Sequence, residues 1–299
     1  MNSSLNKDTA LTYLNIITIL LLFAVTICGI CSFDTTHTYE IINQYGNNVK
    51  IWGAGIYAYD SYFKAPIFIG SDFTILVFII PLASITFWKM RKEQSIEHCI
   101  RSFGVLSLLL YYSASLAFGV TYNKLHLLYI ALFGVCFFSV GVLFTKLYTI
   151  SSHQEKECVY SFTKGMKVFL LTAGIALFAA WLPDIAASII NGTSLKLIEV
   201  YTTEITYVLD MGIISPLMII TYCLLKRKSF IGYVFLQMIL QVCIGVGIML
   251  PIQTLFQLLA GITIPLPALI TKVLTFVTLA AFASYFKFHL KREQYMEES

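Results

Sequence analysis

Eight runs of apolar residues, nearly free of charge and separated by short polar segments, dominate this chain. Each is about twenty residues long, enough for a helix to cross the hydrocarbon core of a bilayer. A helix satisfies every backbone amide and carbonyl within its own segment, which lipid demands. The runs cover approximately 11–31, 68–90, 102–121, 125–149, 168–190, 205–225, 230–250 and 266–286. Composition agrees: 12% of residues are charged, 58% are apolar and the mean hydropathy is +0.79. Soluble domains are roughly a quarter charged, and a chain this poor in charge needs lipid to cover its surface. The expected fold is all-α: one polytopic transmembrane bundle over 1–299, in the cell (plasma) membrane, with the lipid bilayer as its first partner. The first run resembles a signal peptide in place, but Leu11 to Ile30 is longer than a signal core. Ile30, just before Cys31, is also a poor cleavage residue, so the run is read as a retained anchor.

Lys and Arg collect in alternate loops. One set holds 15, including Lys89, Arg91, Lys92, Lys146 and Lys226; the other holds Lys50, Lys64, Lys124 and Lys196. Basic residues mark the cytoplasmic side, so both termini are expected inside. The net charge of +4 follows from these loops and gives no sign of a nucleic-acid partner. The one sizeable outer loop spans about 32–66. Within it, β-favouring stretches flank Tyr45-Gly46-Asn47-Asn48, a hairpin signal. A lone hairpin is marginal in water, so it is expected to rest on the outer helix ends. The uncharged segment from Gln253 to Pro267 is expected to be a third outer loop.

Spans two and six share a pattern. Gly70-Ser-Asp72 precedes an apolar run and Pro81; Leu209-Asp210 precedes an apolar run and Pro216. Both end in basic turns, and the two spans run in the same direction. That is a candidate parallel repeat of four plus four helices.

Ionisable residues within spans are costly and mark sites. Asp72, Asp184, Asp210 and Lys272 each fall roughly 8–9 Å below the outer boundary, at 1.5 Å of rise per residue. Four groups at one depth predict an outward-facing polar pocket in which Lys272 pairs with at least one aspartate. Tyr57, Asp60, Tyr122, Asn123, His126, Tyr129, Trp181 and Glu204 lie at or near the same level and complete the candidate pocket for a small molecule or ion. The competing reading is structural: belts of interfacial aromatics and an Asp–Lys network that locks the bundle. Dispersed Asp60, Asp72, His126 and Asp210 are a weak metal signal. Cys28-Gly29-Ile30-Cys31 has redox spacing, but no second outer cysteine pair is present to exchange with it.

Gly55-Ile-Tyr57-Ala-Tyr-Asp60-Ser61, the Ala65 to Asp72 stretch, Tyr112 to Gly119, Tyr122-Asn123, Leu127 to Phe133, Trp181 and Val208 to Pro216 form a combination across about 41–250. In it the chain resembles a family of uncharacterised bacterial multi-pass integral membrane proteins of about eight helices. The resemblance implies a membrane location and a similar helix arrangement. It implies no substrate or cofactor, and the cysteine pair lies outside the pattern.

Several function classes remain. A transporter or transport accessory fits the weak repeat and the prolines in spans two, five and six. A sensor for an external ligand fits a shallow pocket but needs a partner protein, because the inner loops are short. A structural or scaffolding role needs no ligand. An enzyme is disfavoured: HExxH, GxSxG and phosphate-cradling glycine motifs are absent. A chromophore on Lys272 is disfavoured by its shallow depth.

Overall fold

The computed structural model describes residues 9–154, 158–160, 162–266, 270–290 and 292–294. Among them seven helices are long and apolar enough to cross a membrane: α1 (Thr9–Ile30), α2 (Ala65–Glu93), α3 (Ile96–Gly119), α4 (His126–Gln154), α5 (Lys164–Asn191), α6 (Ile205–Lys226) and α7 (Phe230–Leu259). An eighth, α8 (Thr275–His289), follows directly on a π turn at Ile270–Leu274. Local chemistry sets several ends. Ser95 and Thr163 accept amide hydrogens from His98 and Met166 at the starts of α3 and α5, the preferred role of hydroxyl side chains there.

Prolines shape α2 and α6 alike. A proline offers no amide to the carbonyl four residues earlier, so Pro81 frees that of Val77 and Pro216 that of Gly212. Both carbonyls lie inside π turns, Ile75–Ile79 and Asp210–Ile214, that end two residues before the proline. A π turn absorbs the disruption and lets the helix continue.

Helix α7 forms much of the centre, packing on α2, α3, α6 and α8. On one side α1 packs on α2 and α4, and α3 on α2 and α4; on the other, α5 packs on α6. The approach of α2 to α7 needs Gly70, since a Cβ there would lie 2.6 Å from the Cα of Gln253. This contact corrects one expectation. Gln253 and Gln257 are helical, not loop, because α7 runs on through Pro251 to Leu259. Their amides are spent on α2 and the loop before it: Gln253 donates to Ser71 (2.7 Å) and Gln257 to the Phe63 carbonyl (3.0 Å).

The hairpin forms as expected, pairing β1 (Tyr39–Ile42) with β2 (Asn48–Ile51). Asn43 Oδ1 accepts from the amides of Tyr45 and Asn47, and Gly46 takes φ +79°. The hairpin is not isolated: the Tyr62 amide donates to the Lys50 carbonyl and the Trp52 amide to that of Asp60. Trp52 is fully buried with Tyr57, Phe68, Ile198 and Tyr201, which gives this end of the bundle a small apolar core of its own. A second short ladder pairs β3 (Cys158–Tyr160) with β4 (Arg292–Gln294).

Candidate functional site

The segments 31–64, before α2, and 192–204, between α5 and α6, are stitched to each other and to the end of α7 as one cap. Asn43 donates to the Glu199 carbonyl (2.8 Å), Ser61 Oγ to the Glu199 carboxylate, and Tyr62 to the Ala260 carbonyl (2.5 Å). Lys64 is ion-paired with Glu204, and its ammonium lies 4.2 Å from the Tyr201 ring centre. Glu199 sits at φ +48°, a left-handed conformation that a glutamate adopts only at a cost.

Asp60 lies beneath this stitching and is 0% exposed. Its Oδ1 accepts from the Thr121 amide (2.9 Å) and the Tyr201 hydroxyl (3.0 Å). Its Oδ2 is buried without a hydrogen-bond partner among the described residues. Burial pushes the carboxyl up to about 7, against the bonds from Thr121 and Tyr201 and the Lys64 charge. Burial also raises Glu199, with the Ser61 bond and Lys64 opposing. In the unfolded chain an aspartate titrates near 3.9. Between about pH 4 and about pH 7 the folded state therefore binds more protons, so stability falls as pH rises through that window. The melting temperature of the full chain in detergent should be higher at about pH 5 than at about pH 8. Asp60→Asn should flatten that slope; an unchanged slope in this variant would assign it elsewhere.

One layer deeper, Asp72 of α2 is also fully buried. It accepts from the hydroxyls of Tyr57 (2.7 Å) and Tyr112 (2.5 Å). Its Oδ2 presses on Gly29 of α1, where a Cβ would stand 1.6 Å away. That contact gives the Cys28–Cys31 segment a packing role: its glycine makes room for a carboxylate, while the two cysteines are free and exposed.

Asp210 is 5% exposed and accepts from Tyr111 and the Trp181 indole, both at 3.0 Å. Asp184 is exposed and accepts from Tyr207 (2.8 Å), whose ring stacks on Trp181 at 4.7 Å. Different side chains thus donate to each aspartate: Tyr57 and Tyr112 to Asp72, Tyr207 to Asp184, and Tyr111 and Trp181 to Asp210. Among the described residues no basic side chain lies within ion-pair distance of Asp72, Asp184 or Asp210. The Lys272 side chain lies outside the described residues. Asp184 and Asp210 therefore belong to one niche joined by the Trp181–Tyr207 stack, Asp72 sits in another between Tyr57 and Tyr112, and the expected pairing with Lys272 falls outside the described residues. Tyr111 and Tyr112 are neighbours on α3, about 100° apart around the helix, so each serves a different carboxylate.

The remaining sequence-selected residues divide. Tyr129 is buried, and Asn123 approaches its hydroxyl at 3.4 Å while accepting from the Leu125 amide at the start of α4. Tyr122 is 78% exposed and its ring lies against His126, whose Nδ1 is buried without a partner among the described residues. Among the described residues no three His, Cys, Asp or Glu side chains are grouped to hold a metal ion. Sequence reasoning missed Ser61, Lys64, Glu199 and Tyr201. The one available signal was that Lys64 is basic in an otherwise sparsely basic segment, 32–66. No family model, curated protein or solved structure matches this chain. The likeness to a bacterial membrane-protein family therefore stands on its motifs alone.

Proposed function

We propose that this is a multi-pass protein of the cell membrane that binds a small cation or protonated amine from the outer side, as a transporter or transport accessory. The observation that carries the reading is the pair Asp60 and Asp72: two fully buried carboxyl groups beneath a folded cap, met by hydroxyl and amide donors and, among the described residues, by no basic side chain at ion-pair distance. Burying a carboxylate costs several kcal/mol unless a proton or a cation neutralises it. The unpartnered Oδ2 of Asp60 offers a further acceptor. We take the orientation as both termini inside, from the basic loops. We take α8 with its π turn as an eighth crossing, since five and fifteen helical residues in sequence span roughly 30 Å. The matched π turns and prolines of α2 and α6 support a four-plus-four repeat. So does packing, in which α1 meets α2 and α3 meets α4, as α5 meets α6 and α7 meets α8.

The test is displacement of protons by cations on the full chain in detergent at about neutral pH. Adding sodium, potassium, ammonium or methylammonium salts should release up to about one proton per site for the species bound. Asp72→Asn and Asp60→Asn, if still monodisperse, should each reduce that release. No release with any of the four, or release unchanged in both variants, would end this reading. A sensor acting through a partner protein is the second reading, favoured by the continuous stitching of the cap across both outer loops. It predicts cation binding in detergent but no cation flux into liposomes.

A further inference from the structure

At the opposite end of the first helices lies a cavity of about 300 Å³ that the outer site does not involve. Asn15 and Ile19 of α1, Phe87, Trp88 and Arg91 of α2, and Lys146 of α4 are among its walls. The lining is mainly apolar, with two cations. Among the described residues neither Arg91 nor Lys146 has a carboxylate within ion-pair distance. Asn15 is 5% exposed, and its Oδ1 is buried without a partner among the described residues. A buried amide oxygen left unsatisfied is costly and marks a place where a donor belongs. Trp88 is 57% exposed on the outside of the bundle, so the cavity wall continues into the surface that lipid covers.

The geometry points to a binding site for one anionic glycerophospholipid of the cytoplasmic leaflet. Its phosphate is held by Arg91 and Lys146, a headgroup hydroxyl or ester-side donor meets Asn15, and an acyl chain lies along Ile19, Phe87 and Trp88. Charge complementarity decides for an anionic lipid over a neutral one. Both basic residues fall in the lysine- and arginine-rich loop set, which places the site in the leaflet where anionic lipids are abundant. The apolar groove decides for a lipid over a free phosphate ester.

The probe is tryptophan quenching by bromine on acyl chains. The full chain is placed in phosphatidylcholine vesicles doped with an equal fraction of brominated phosphatidylglycerol or brominated phosphatidylcholine. The signal from the cavity is the difference between the wild type and Trp88→Phe. Brominated phosphatidylglycerol should quench Trp88 as though enriched about tenfold over brominated phosphatidylcholine. Arg91→Gln with Lys146→Gln should remove the preference, whereas Lys226→Gln, at the end of α6 and outside the cavity wall, should keep it. Equal quenching by the two lipids, or a preference that survives the double variant, overturns the assignment. Loss of the preference on adding soluble glycerol phosphate also overturns it, because the headgroup alone would then account for binding.

Discussion

Lys64→Met should destabilise the protein by about 2–4 kcal/mol, the largest effect expected of any substitution in the cap. Lys64 is 9% exposed, and its side chain and that of Glu204 are 11% and 15% exposed in their ion pair. The same ammonium faces the Tyr201 ring and lowers the carboxyls of Asp60 and Glu199. Removing it leaves three carboxyl groups crowded under the cap, and an unpaired buried charge costs more than the pair contributes. The loss should appear as a lower melting temperature and as faster hydrogen exchange in residues 39–64 and 195–204. Lys64→Met combined with Glu204→Gln should recover much of the stability, since neither buried charge is then stranded. A double variant no better than the single one would show that the ion pair is not what holds the loops together.

Gly29→Ala is the second large effect. A Cβ at this position would stand 1.6 Å from Asp72 Oδ2, inside any tolerable contact. Either α1 retreats or the carboxyl leaves its two tyrosines. Overpacking costs about 1–3 kcal/mol, and each hydrogen bond lost adds about 0.5–1.5 kcal/mol. Melting of the full chain should fall accordingly, and so should the cation-dependent proton release, because the same carboxyl is disturbed. Gly29→Ala with Asp72→Ala should cost less than the sum of the two single changes, as neighbours in contact are not additive. Cys28→Ser and Cys31→Ser, both exposed and free, should stay within about 0.5 kcal/mol of the wild type. A Gly29→Ala protein with unchanged melting would mean that α1 and α2 are not packed as described.

Much of this architecture is legible in the residues. A charge in hydrocarbon is too costly to occur by drift, so Asp72 and Asp210 stand out in their apolar runs. The turn around Gly46 shows as a hairpin because its residue types match its backbone demands. The length of α7 is not legible: Pro251 reads as a helix end, yet the helix continues because Gln253 and Gln257 find partners on α2 and the loop before it. Nor is the role of Gly29 legible, since nothing in Cys28-Gly29-Ile30-Cys31 names the carboxylate that it must admit.

Sequence alone determined the apolar helices and where each aspartate falls along its helix, because hydropathy and the rise of a helix are properties of one segment. Tertiary structure alone decided azimuth and partners. Tyr111 turns to Asp210 and Tyr112 to Asp72. Lys64 meets Glu204, 140 positions away, and Ser61 meets Glu199 across 138. Rise along a helix is local, but which side chain faces which depends on how separate helices rotate against one another, and only the packed bundle fixes that.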